Sequence, residues 1–343
     1  MAETLLYGKS IRDYGAVGDG SSDDTEAFLK AFDGHETLIC LPYGTYTVTQ
    51  PLLLHSGVTV RCHKRARIRF PGLSAASGTT DIVISGGIWN CTDTENCAFD
   101  FTGVSHATLE HFTASSASDC VIGLCDCEDI RIEHAVLSSE HTASAILAGG
   151  EVSRVDLDNI VCRGCSAAIE AASGAQVNGW HVHALCSEGC DFLLTAKDAV
   201  WCNSSFCGIS GQVSEQAILL EGCSLNEMAF RHLSLHDGYI RLRHNRYRRF
   251  SICDFSRLAD MEADAVKPTF EISGTKCTLL CDGVTLDAII LSKKAATDAK
   301  LTAARMASPL PTSYQYTLEA ALSEKAQYTL PSGGFELLTL NDA

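Results

Sequence analysis

The chain is 343 residues long and 46% hydrophobic with only 7 prolines, which excludes a disordered polypeptide and leaves apolar surface for a large core. A formal net charge of -16 argues against nucleic acid as a partner, and no apolar run is long enough to span a membrane. The 17 cysteines are an odd and large number that fits reduced, buried thiols; with no charged-then-apolar leader, the expectation is a cytoplasmic protein, or a secreted one if a leader has been removed.

In chain order, the first predicted element is a turn and a short helix. Gly15, Gly18 and Gly20 suit tight turns with positive φ. Asp23, Asp24 and Thr25 offer N-cap oxygens and negative charge where a helix begins. Ala27, Phe28, Ala31 and Phe32 share one helical face. Residues 11–33 therefore predict an amphipathic cap over the open end of a β-structure, which a solenoid needs because its first coil has no neighbour. A turn and strand follow at Leu41-Pro42-Tyr43-Gly44-Thr45-Tyr46-Thr47-Val48.

The stretch from Ile11 to Gly20, its continuation Ser21-Ser22-Asp23-Asp24-Thr25-Glu26-Ala27-Phe28, and the Pro-x-Gly-x-Tyr segment at 42–46 together resemble a known opening. It is that of the pectin-lyase-like superfamily of right-handed parallel β-helices. The likeness is greatest to polygalacturonase-type glycoside hydrolases, and many phage tail-spike proteins share it. The resemblance implies an all-β fold: a right-handed single-stranded parallel β-helix with an N-terminal capping helix. It is specific for fold and says little about activity.

Two runs of cations stand out: Arg61, Lys64, Arg65, Arg67 and Arg69, then Arg241, Arg243, Arg246, Arg248 and Arg249. Each reads as a solvated face or as a site for an anionic sugar or phosphate. From Asp81-Ile82-Val83-Ile84 onward the chain repeats a strand, a turn and a second apolar strand. Related starts fall at Ser105, Glu128, Ser153, Gln176, Trp201 and Asn226, intervals that fit one coil of a parallel β-helix. The second strands form a ladder: 97–101, 120–124, 144–147, 167–171, 191–194, 216–220 and 238–242. Single coils cannot bury their apolar faces, but stacked coils can.

Cysteines follow the period, with Cys162 and Cys186, and Cys165 and Cys190, about one coil apart. That spacing also suits a zinc site, but stacking of interior residues explains it more simply. Trp89, Trp180 and Trp201 are too scattered for a sugar platform and are assigned to packing. The repeat loosens after about residue 250. Residues 1–291 are read as the β-helix domain and 292–343 as a C-terminal cap or homo-oligomer contact.

Hydrolysis of a glycosidic bond with inversion needs a carboxylic acid and a carboxylate with water between them. Neighbouring coils place acids about 4.8 Å apart on one face. In the polygalacturonase family the acids start the ladder strands, as Asn-Thr-Asp and then Asp-Asp one coil later, followed by Gly-His-Gly and Arg-Ile-Lys. Here Arg241-Leu242-Arg243 is the nearest to the last motif. Counting back by coils puts Ser214-Glu215-Gln216, Cys190-Asp191 and Gly164-Cys165-Ser166 at the others, so only Asp191 keeps a family acid. A register one or two coils earlier offers Asp119 and then Glu140-His141, and fits no better. Asp23 and Asp24 belong to the cap and are not counted as catalytic.

The candidate catalytic residues are Asp191, Glu215 and Asp237. Arg241 and Arg243 are assigned to a uronate carboxylate, which a guanidinium fork suits. His181 and His183 alternate on one strand and point to one face, where imidazoles suit acid/base work or substrate contact. The favoured reading is a hydrolase acting on an oligo- or polysaccharide, without a metal or cofactor. A uronate lyase, the one reading in which calcium enters, finds no convincing acid cluster for a hard cation. A non-catalytic carbohydrate-binding or structural β-helix is the third reading, favoured by the missing family acids.

Overall fold

In a computed structural model, the chain is described over residues 8–258, except 94, 214, 215, 237, 238 and 249, and beyond 258 in the strands between Phe270 and Leu338. The strands pair in parallel, each with the strand one coil away, and build three ladders. The first ladder runs through Leu38–Leu41, Thr59–Cys62, Thr80–Ser85 and Ser105–Glu110. The second runs through Thr45–Thr47, Arg67–Phe70, Ile88–Cys91 and Thr113–Ser115. From Glu128–Ser138 onward, one long bent strand per coil serves both, as in Glu151–Arg163, Gln176–Cys190 and Val200–Val213. The third ladder is Phe99–Thr102, Cys120–Cys125, Ser144–Gly149, Ala167–Ala171, Phe192–Lys197, Gln216–Glu221 and the start of Tyr239–Arg248. These are the ladder strands that the repeat predicts.

How the long strands bend is visible in their burial. In Glu151–Arg163 the core residues are Val152, Val155, Leu157, Ile160 and Cys162. The alternation slips by one residue at Arg154 and again at Asn159, both left-handed, with φ 52° and 54°. Each slip re-aims the strand so that the next side chain still faces inward. The slips stack from coil to coil. One column holds Asp81, His106, Asp129, Arg154, Asn203 and Glu227; the corner column holds His111, His134, Asn159, Ala184 and His232. Asp, Asn and His tolerate this conformation best, which accounts for most of both columns. His111 and His134 also stack face to face at 4.7 Å.

Inside, the three tryptophans are fully buried, so their role is packing. Phe70, Trp89, Phe99 and Phe112 form one chain of ring contacts, and Trp180, Trp201, Phe206, Phe230 and Phe250 another. The cap helix is Thr25–Ala31, and Ala27, Phe28, Ala31 and Phe32 are all buried, as the pattern predicts. Asp24 departs from its expected role. It makes no side-chain cap; its Oδ1 accepts from Val17 N at 2.7 Å and its Oδ2 from Thr47 N at 3.4 Å, tying the entry turn to the first coil. Gly18 is required in that turn: at φ 68° a Cβ would lie 2.6 Å from the Tyr46 ring.

The cysteine stacking needs one correction. Cys162 pairs with Ser187 and Cys186 with Val161, so Cys162 faces the core and Cys186 the other side. The repeat starts drift likewise: Ser153 aligns with Asn178 and Cys202, not with Gln176 and Trp201. Cys97 and Cys120, one coil apart, form a disulfide, so the thiols are not uniformly free. Described strands continue in parallel pairs to Glu336–Leu338, while the boundary segment 292–299 lies outside the described residues.

Candidate active site

At the head of the third ladder, three polar residues stack in successive coils. Ser144 N donates to Asp119 O, Ser166 N to Ala143 O and Asp191 N to Cys165 O, each at 2.9–3.0 Å. These backbone bonds fix the column Ser144, Ser166, Asp191. Ser144 is almost wholly buried, and its hydroxyl lies 3.2 Å from that of Ser166 and donates to Glu170 Oε2.

Glu170 comes from the outward row of the same ladder. Ile122, Ile146, Ile169, Leu194 and Ile218 pair inward, so the residues after them, Gly123, Leu147, Glu170, Thr195 and Leu219, line the outer face. Arg241 is next in that row. It stands three coils from Glu170, about 14 Å at the usual strand spacing.

The fifth member arrives from a turn. His141 is left-handed, with φ 61°, and its N–H donates to Gly164 O at 2.6 Å. Its Nδ1 lies 3.3 Å from Asp191 Oδ1, two coils further on. Gly164 opens that path. At its φ of 55° a side chain is strained, and a Cβ would come within 2.9 Å of Ser139 O and 3.8 Å of His141 Nε2. The His141 and Asp191 side chains are 55% and 40% exposed, so the pair meets solvent, while Ser144 in the same column is buried. Behind them Cys190 and Cys165 are buried; the hydrogen bond with Cys190 and then burial push the Cys165 thiol up.

The arrangement ties Glu170 to a pair of hydroxyls and sets an imidazole against Asp191, the next residue of the same column. Such a group can take a proton at one carboxylate and give one at the other. The sequence put Asp191 forward as a candidate, offered His141 only in a register that fits no better, and gave no sign of Glu170, Ser144 or Ser166 beside them. The signal for His141 was Gly164, lying between it and Asp191. Glu170 was hidden because it lies inside a ladder strand instead of at its start.

The remaining candidates separate. His181 and His183 share an exposed face, as expected, but that face is the first ladder, beside Asp156 and Asp158, so they do not join Asp191. Arg243 pairs by its backbone with Glu221, and its side chain lies outside the described residues. Glu215 and Asp237 also lie outside the described residues. Among the described residues, no three His, Cys, Asp or Glu are grouped to hold a metal ion.

This geometry can be set beside known proteins. A family profile described as rhamnogalacturonase A/epimerase, pectate lyase-like, matches residues 9–61. The family 28 exopolygalacturonase of Yersinia enterocolitica is similar in structure, with TM-score 0.54, 12% identity, and 96% of this chain and 76% of that one covered. The mannuronan C-5 epimerase AlgE4 A-module of Azotobacter vinelandii gives TM-score 0.50 at 11% identity, covering 96% and 100%. PfbA, a surface adhesin of Streptococcus pneumoniae, gives TM-score 0.50 at 12% identity, covering 87% and 91%. No curated protein sequence matches the chain. The ladders and the cap define a capped parallel β-helix, and its first coils are similar to the pectate lyase-like profile at residues 9–61. At these identities the neighbours establish fold, and the fold hosts hydrolase, epimerase and adhesin alike.

Proposed function

We propose that the protein is a glycoside hydrolase acting on an oligo- or polysaccharide laid across the third ladder. The observation that supports this most is the stacking of Ser144, Ser166 and Asp191 at one ladder head, with Glu170 bonded to Ser144 and His141 against Asp191. Two of the neighbours are polysaccharide-acting by name, which supports the substrate class. Asp191 is the base: it takes a proton from water as the water oxygen bonds to the anomeric carbon and the glycosidic C–O bond breaks. Glu170 is the acid and gives its proton to the leaving oxygen. Arg241 and Arg243 hold a uronate carboxylate further along the row. Glu215 and Asp237, from later in the sequence repeat, are the competing acids.

The test is a panel of plant, microbial and host oligosaccharides, with and without calcium, read as new reducing ends and as unsaturated-uronate absorbance. Reducing ends should fall by about 10²–10⁴ in Asp191→Asn and in Glu170→Gln. Loss in Glu215→Gln but not Glu170→Gln moves the acid to Glu215. Calcium-dependent absorbance replaces the hydrolase with a lyase. Silence from folded protein favours a non-catalytic carbohydrate-binding β-helix. One observation favours that second reading: the outward row around Glu170 is uncharged at Gly123, Leu147, Thr195 and Leu219.

A further inference from the structure

The basic run at 61–69 is not part of the third ladder. Arg61 lies on a first-ladder strand, Lys64 and Arg65 sit in the corner, and Arg67 and Arg69 lie on the second ladder. All five are exposed, and among the described residues none enters an ion pair. Their neighbours one coil away explain why. Arg61 stands between Cys40 and Ser85, Arg67 between Thr45 and Ile88, and Arg69 between Thr47 and Asn90, so no carboxylate is adjacent in the ladder. Asp19 and Asp23, one coil beyond Thr45 and Thr47, are committed to their own turns: Asp19 accepts from Ser21 N and Ser22 N, and Asp23 from Thr25 N. Five uncompensated cations within nine residues stand out in a chain of net charge -16.

Two further features lie beside this corner. Tyr43 is 65% exposed, the most exposed large apolar side chain described, and its ring meets His63 edge-on at 5.8 Å. Arg12 Nη2 donates to Tyr43 O at 2.9 Å and holds that turn. In the other direction, the Arg69 column continues as Asn90 and Ser115, whose side chains are hydrogen-bonded at 3.1 Å. The corner thus offers cations, one exposed ring and a row of neutral hydrogen-bonding groups one coil apart.

We propose that this corner is a binding site for an anionic glycan, separate from the third-ladder site. Sugar rings carry carboxylate or sulfate groups for the guanidinium forks, an apolar face for Tyr43 and hydroxyls for Asn90 and Ser115. A membrane would use no hydroxyl row, and long nucleic acid would meet the repulsion of the whole chain. The inference does not depend on hydrolysis at Asp191.

The test measures binding of the full chain to polygalacturonate, dextran sulfate and neutral dextran across a salt series, comparing wild type, Arg65→Ser/Arg67→Ser/Arg69→Ser, Tyr43→Ala and Asp191→Asn. Wild type should bind one or both anionic polymers and not dextran, and the two anionic arms tell carboxylate from sulfate. The triple variant should bind at least tenfold more weakly, with the log–log salt slope reduced by roughly two. Tyr43→Ala should weaken binding severalfold, and Asp191→Asn should leave it unchanged. No binding to either anionic polymer, binding unaltered in the triple variant, or tighter binding to single-stranded nucleic acid or anionic vesicles overturns the proposal. If Asp191→Asn abolishes binding as well, the glycan is held at the third ladder and the corner site is refuted.

Discussion

Two regions of this molecule gather carboxylates, and they use them in opposite ways. At the cap, Asp19, Asp23 and Asp24 all accept backbone N–H groups, from Ser21, Ser22, Thr25, Val17 and Thr47. At the head of the third ladder, the side chains of Glu170 and Asp191 meet Ser144 and His141. A carboxylate occupied by backbone donors holds the chain in place. At the cap the Ser22 and Thr25 hydroxyls only add to those backbone donors; carboxylates described with side-chain partners alone, Glu170 with Ser144 and Asp191 with His141, are the kind the proposed reaction can use. The comparison teaches that acid density alone is a poor guide to chemistry and that the partner's type is the better one.

The comparison can be broken most forcefully at the cap core. Phe28 is fully buried against Phe32 and Tyr46, so Phe28→Ala should cost about 3–5 kcal/mol, read as a shifted denaturant midpoint with an unchanged m-value. Next comes the contrast between the acids themselves. Asp24→Ala leaves Val17 N and Thr47 N without their acceptor and should cost about 2–3 kcal/mol. Asp191→Asn, at a partly exposed turn, should change stability by less than about 0.5 kcal/mol while removing the proposed activity. Equal destabilisation by the two would erase the distinction between them.

The smallest effect is in pH. Backbone hydrogen bonds from Ser22 and then Ser21 lower the Asp19 carboxyl from 3.8 to about 2. Its contribution is therefore complete above the unfolded value of 3.8 and is lost as pH falls through about 2. Hydrogen exchange of the Ser21 and Ser22 amides should accelerate, relative to a control amide of the middle coils, over that window. Asp19→Ala should exchange fast at every pH. An unchanged Asp19→Ala profile would show that this carboxylate does not order the turn.

The period of the chain, its apolar ladder strands and the Ala27, Phe28, Ala31, Phe32 face of the cap were legible in the sequence, because each is a local pattern repeated by geometry. Coil register was legible only to within a residue or two. One-residue left-handed slips such as Arg154 and Asn159 carry no fixed residue type, and whether Cys162 meets Cys186 or Ser187 depends on a coil register that only the pairing of the strands settles. Candidate chemistry was less legible still. His181 and His183 share a face, as alternation requires, but which ladder that face belongs to is decided by where the chain bends.

The sequence by itself determined a capped parallel β-helix, because strands repeated once per coil bury their apolar faces by stacking, and it put forward Asp191 as a candidate acid. Only the tertiary structure decided what that acid touches. His141 lies two coils away from it, and Glu170 reaches the column through Ser144, so no local pattern links them. Side chains converge here because parallel coils bring residues far apart in sequence to within one or two strand spacings, and a glycine at 164 leaves the gap across which two of them meet.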